Sequence, residues 1–147
     1  MRLPLGRILI ILIVLLGISQ VIPVTRSNPP ATSEIVVPVE VRTLLKRACY
    51  DCHSNETKWP WYSRIAPISW LIAHDVNDGR RHLNFSRWGE LSTRQQGKKL
   101  KDIAKAIEER EMPPFYYLPV HPKARLSDQE NTLLRDWARQ GDQSSSN

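Results

Sequence analysis

Cys49 and Cys52 are the only cysteines in the chain; they stand three positions apart, and His53 directly follows the second. At that spacing two thiols can add to the two vinyl groups of one haem, and the adjacent histidine is carried to the iron as its proximal ligand. Other chemistries share the spacing. A structural zinc site needs four ligands, and the remaining histidines, His74, His82 and His121, are scattered. A thioredoxin-like dithiol needs a strand before it and a helix opening at its first cysteine, whereas a helical pattern leads up to this motif. A disulfide closing so short a loop would add little stability. The residues therefore predict one covalently held haem c, with Cys49 and Cys52 as attachment points and His53 on the metal.

The N-terminus supports that chemistry. Arg2 and Arg7 precede an apolar run at residues 8–18, which continues weakly through Val21, Ile22 and Val24. A positive flank followed by an apolar core is an export signal. Haem c is attached on the outer side of the bacterial inner membrane, so export fits the motif. A cleaved signal peptide wants small residues at its cleavage site, and residues 23–26 provide a poor one. An uncleaved anchor wants about 20 apolar residues, which this run approaches and could meet by local bilayer thinning. The expectation is a single-pass anchor over residues 1–24 with the rest in the periplasm; the alternative is an exported soluble protein whose signal has been removed.

The elements that must position the motif are helical. Residues 25–36 are polar and carry two prolines, so they are expected to form a flexible tether. Residues 37–141 have the size of one small domain, and residues 142–147 are Ser-rich and expected to be disordered. Val41, Leu44, Leu45 and Ala48 predict a helix over 39–50 that delivers the cysteines. Pro67 suits a helix start, with Ile68, Leu71, Ile72 and Val76 as the buried face and an end near Gly79. Ser92 with Gln95, and Ser127 with Glu130, are capping boxes. They open one helix carrying Leu100, Ile103, Ala104 and Ile107, which stops before Pro113, and a last helix carrying Leu133, Leu134, Trp137 and Ala138, closed by Gly141. Only residues 35–39 have strand character, and Pro38 demotes them. The fold class is all-α.

The formal net charge is +6, with the basic residues spread along the chain. No nucleic-acid recognition motif accompanies it, so nucleic acid is not an expected partner. The charge suits either a solvated surface or docking of an acidic redox protein.

A helix leading into Cys-x-x-Cys-His, then loops and helices, then a Met-Pro after a helix and a C-terminal helix resembles small class I c-type cytochromes. More specifically, Cys49 to Ser54, the block Trp59, Pro60, Trp61, Tyr62 and Ser63, Ile65 to Pro67, Trp70, Asp75, Val76, Gly79, Arg80 and Trp88 resemble the bacterial haem-binding domain family. In that family a CXXCHS motif precedes a WPWYS block, and a Glu-Met-Pro and a final Trp-bearing helix follow. The resemblance spans roughly residues 37–140 and implies a cytochrome c-like domain built around its haem.

Met112 is the candidate second axial ligand: a thioether opposite histidine favours ferrous iron, and Pro113 and Pro114 stiffen the loop presenting it. His121, between Pro119 and Pro122, is the alternative. Trp59, Trp61, Tyr62 and Trp70 are expected to wall the haem. Arg80, with Arg64 and Arg81, is expected to pair with the propionates. By analogy with cytochromes c, His53 would donate its second ring N–H to the Pro67 carbonyl. The expected function is single-electron transfer between redox partner proteins, without a catalytic constellation. A haem-based sensor and an accessory haem domain of a larger membrane enzyme are the alternatives.

Overall fold

The structure is a computed structural model that describes residues 4–145. Arg2 of the expected basic flank, and the last two residues of the expected tail, lie outside the described residues. The all-α expectation is borne out. Among the described residues six α-helices follow in order: α1 Leu5–Ser19, α2 Val39–Ala48, α3 Tyr50–His53, α4 Ile68–His82, α5 Thr93–Glu108 and α6 Asp128–Ser145. There is no β-strand among the described residues, only an isolated bridge between Ser33 and Arg87.

The core forms where α2, α5 and α6 turn their apolar stripes toward each other. Val41, Leu44 and Leu45 of α2 meet Leu100, Ile103, Ala104 and Ile107 of α5 and Leu134 and Ala138 of α6. Tyr50 stacks on Phe85 at 5.3 Å, and Phe85 in turn stacks on Trp88 at 6.5 Å. Each fully buried side chain of this kind contributes roughly 1.5–3 kcal/mol.

Both capping boxes form. Ser92 and Gln95 bond each other's backbone N–H at the start of α5, and Ser127 and Glu130 do the same before α6. Past the end of α5, the N–H of Arg110 donates to Ile107 O and that of Glu111 to Ala106 O. This is a Schellman closure, and Arg110 occupies its left-handed position with φ 56°. α6 does not end at Gly141 as expected but runs on to Ser145. Gly141 serves packing instead, since a Cβ there would meet Leu100 Cδ1 at 2.8 Å.

α4 also differs from expectation. It runs past Gly79 to His82, and its buried face is Ser69, Ala73, Val76 and Gly79, while Ile68 and Leu71 are exposed. Small side chains let α4 lie close against α3: a Cβ on Gly79 would come within 2.6 Å of Cys52 O.

The anchor helix is not supported. α1 has 15 residues, about 22 Å at 1.5 Å per residue, against about 30 Å of hydrocarbon. No helix among the described residues is long and apolar enough to cross a membrane. Just past α1, Gln20 is held by the body of the protein: its amide donates to Ala66 O at 3.2 Å and accepts from Ala66 N at 3.0 Å. Residues 25–36 have no helix, yet they do not hang free as a flexible tether. Arg26 donates to Ser63 O at 3.0 Å, Asn28 to Thr57 O at 2.9 Å and the Ile35 N–H to Phe85 O at 2.9 Å. Ile35 itself is 3% exposed and belongs to the core.

Candidate haem site

α2 ends at Ala48, the chain bends at Cys49, and the single turn of α3 carries the motif. The His53 N–H donates to Cys49 O at 2.9 Å, which closes that turn. Tyr50 fixes it from behind, with its ring on Phe85 and its hydroxyl donating to Glu34 at 3.0 Å. Cys49, Cys52 and His53 thereby line one cavity of about 530 Å³, with Met112 on the same wall set. That volume is within the roughly 300–1,000 Å³ usual for cofactor sites. Leu83, Ile103 and Ala106 give the cavity apolar walls, and Lys99 and Lys105 stand at it as cations.

His53 is oriented by the far end of α4. Its Nδ1 lies 3.0 Å from Gly79 O and 3.2 Å from Leu83 O. Both partners can only accept, so Nδ1 carries the hydrogen and Nε2 keeps its lone pair. Burial lowers the pKa of His53 and favours the neutral ring that a metal ligand must be. The acceptors are not Pro67 O, as the cytochrome c analogy implied: Pro67 precedes the N-terminal end of α4, whereas the carbonyls that reach His53 lie at its C-terminal end, where Gly79 O also accepts the Leu83 N–H at 2.8 Å.

Burial pushes Cys49 up to about 12 and Cys52 up to about 11, where reactive thiols are instead depressed. His, Cys, Asp and Glu side chains do not gather in threes to hold a metal ion among the described residues, so the zinc reading lacks its ligand set. Two protonated thiols, a neutral imidazole with a free Nε2, a thioether and apolar walls are the donor set a c-type haem takes, and the residues present fit it.

Other predicted residues stand elsewhere. Trp59, Trp61, Tyr62, Trp70 and Arg80 do not line this cavity. Trp59 donates its indole N–H to Asn28 Oδ1 at 3.2 Å, and Trp61 is 76% exposed. Trp70 is on the outer side of α4, and Tyr62 hydrogen-bonds His121 Nε2 at 3.1 Å in a neighbouring cavity. Arg80 is committed to protein: Nε donates to Ser54 O at 2.7 Å, one terminal nitrogen to Ser27 O at 2.8 Å, and the other to Thr57 Oγ1 at 2.8 Å and Asn28 Oδ1 at 3.0 Å. It thus staples the chain before the domain to the loop after His53. Arg81 pairs with Asp78, and Arg64 is exposed. The cations at the cavity are Lys99 and Lys105 instead.

His121 is absent from the cavity that holds His53, and Met112 is present in it. His82 is also on the rim, but its Nδ1 is bonded to Asp78 O at 3.0 Å, and it sits beside His53 on the α4 side. Tyr116, Tyr117, Asp75 and Gly79 are site residues that the sequence reading missed. The tyrosines carried one signal: they follow Met112 within five residues. No curated protein matches the chain, and no solved structure does. The model of the haem-binding domain family matches residues 9–140, and with the cavity, thiols and imidazole in view the chain belongs to that family and binds haem.

Proposed function

We propose that this chain carries single electrons as a monohaem c-type protein, exported to the outer side of the bacterial inner membrane. The bound haem supplies an iron that cycles between ferrous and ferric. Cys49 and Cys52 hold it covalently through two thioethers. Gly79 O and Leu83 O hold the Nδ1–H of His53, which would leave Nε2 for the iron and keep the imidazole a strong donor. The Met112 thioether would be the second ligand available to the iron, where it would favour the reduced state. Lys99 and Lys105 hold the propionates, and Leu83, Ile103 and Ala106 keep water from the ring. The observation that carries the reading is the convergence of Cys49, Cys52, His53 and Met112 on one cavity. Export rests on the apolar N-terminal run and on where haem c is attached. A cleaved signal fits α1 better than an anchor does, since apolar cores of 7–15 residues are the rule for signal peptides. Redox proteins are the expected partners, and electron carriage, rather than catalysis, is the expected activity.

A second reading, a gas sensor or an accessory haem domain, draws on Met112 being 40% exposed and therefore displaceable. The optical spectrum and potential of Met112→Ala decide between them. Loss of the weak ferric band that His/Met haem gives at about 700 nm, together with a lower potential, supports ligation and transfer. An unchanged spectrum and potential would remove Met112 from the iron.

A further inference from the structure

A second cavity of about 370 Å³ lies beside the first. The two share Asp51, Cys52, Asp75, Tyr116 and Tyr117, so one of the two haem-motif cysteines forms part of both walls. Three features describe what would fit. The lining is mainly apolar, from Ile68, Leu71, Ile72, Val76 and Val120. These include the α4 residues that were expected to face the protein core and do not. The wall is aromatic: Tyr117 stacks on His121 at 3.9 Å and 10°, with Tyr62 set edge-on to the same imidazole. The hydrogen-bonding groups include three pairs, Tyr62 hydroxyl with His121 Nε2 at 3.1 Å, Tyr117 hydroxyl donating to Asp51 at 2.8 Å and Tyr116 hydroxyl donating to Asp75 at 3.4 Å, with Thr57 and Lys58 also on the lining. A flat apolar ring bearing oxygens matches that pattern, since apolar pockets with a few placed polar groups orient such ligands.

The way in is apolar too. Ile68, Leu71 and Val120 line the cavity and are themselves exposed, as are Trp61, Ile65 and Trp70 nearby in sequence. An exposed apolar face of this kind suits a ligand that arrives from lipid.

We propose that this second cavity binds the ring of a lipid-soluble quinol or its quinone, and that the quinol is the electron donor. The inference rests on the electron-transfer reading and names the donor class. Oxidising one quinol to quinone breaks two O–H bonds and releases two protons to water; its two electrons reduce two ferric sites, one on each of two copies of the chain. The Tyr62 hydroxyl would turn from His121 Nε2 to donate to one ring oxygen, and the aliphatic side chains of α4 would hold the ring and the start of its tail.

The test is a calorimetric titration of the full haem-loaded chain, in detergent, with an oxidised benzoquinone bearing a decyl tail, so that binding is read without electron transfer. Saturable binding is expected. Leu71→Trp, at an exposed position that closes the mouth without disturbing the core, should weaken it by at least about tenfold. Tyr62→Phe should weaken it about two- to tenfold through loss of one hydrogen bond. No saturable binding, or equal affinity in wild type and both variants, overturns the proposal. A redox titration of the haem on the same sample separates the two readings. Quinone binding that responds to both variants, without a reversible haem couple, leaves this site standing and removes electron transfer; a normal couple without quinone binding does the reverse.

Discussion

Gly79 sets how closely α4 approaches the haem motif. Its Cα faces the Cys52 carbonyl, and any Cβ would meet that backbone oxygen at 2.6 Å. Backbone cannot swing aside as a side chain can, so Gly79→Ala must push α4 away from α3. The same residue's carbonyl holds His53 Nδ1, so the proximal ring would lose its alignment as well. Denaturation of the haem-loaded variant should show a loss of about 1–3 kcal/mol, the usual cost of overpacking; an unchanged midpoint would mean the contact is loose. At this scale the sequence was legible where chemistry is local. Cys49, Cys52 and His53 lie within five consecutive residues, and their types and spacing point to haem once the rival readings of that spacing are set aside. The partners of His53 were not legible, because Gly79 and Leu83 reach it only through the packing of α4 on α3. The aromatic cluster misled for a related reason: residue type says that Trp59 and Trp61 can pack on a ring, but not which side of the loop they face.

The elements were read well where the signal is periodic or capped. Both capping boxes lie where Ser-x-x-Gln and Ser-x-x-Glu placed them, because each needs only four consecutive residues. The buried face of α4 was misassigned, since hydrophobicity marks Ile68 and Leu71 while close packing selects Ser69, Ala73 and Gly79. The closure of α5 offers a sharper test. Arg110 holds a left-handed φ of 56° that costs an L-residue about 1 kcal/mol relative to glycine. Its ion pair with Asp128 is exposed on both sides and contributes little. Arg110→Gly should therefore raise the unfolding free energy by about 0.5–1 kcal/mol in a denaturant titration. A decrease would show that the ion pair outweighs the backbone. Arg80 tests the strap over the motif loop in the other direction. Arg80→Ala removes the donors for Ser54 O, Ser27 O and Thr57 Oγ1, and should cost about 2–4 kcal/mol. Arg80→Lys keeps the charge but not the fork, so most of that loss should remain. Full recovery with lysine would mean that charge alone matters.

For the whole molecule, periodicity and capping signals led correctly to an all-helical fold, and the family model matches residues 9–140. What composition concealed is how far the body extends toward the N-terminus. Polar, proline-bearing residues read as a tether, yet Arg26, Asn28 and Ile35 find carbonyl partners on the loops around the motif. Such pairing depends on tertiary placement and leaves no periodic trace. The apolar leader was recognisable, but a 15-residue α1 falls short of an anchor. The central claim is that this fold exists to hold a haem through Cys49 and Cys52. Its most direct test is the intact mass of the exported protein, matured with the haem attachment machinery and then fully denatured. One haem retained on each chain is expected, and it should be lost when both cysteines are replaced by serine. Haem that separates on denaturation, leaving two unmodified thiols, would contradict it.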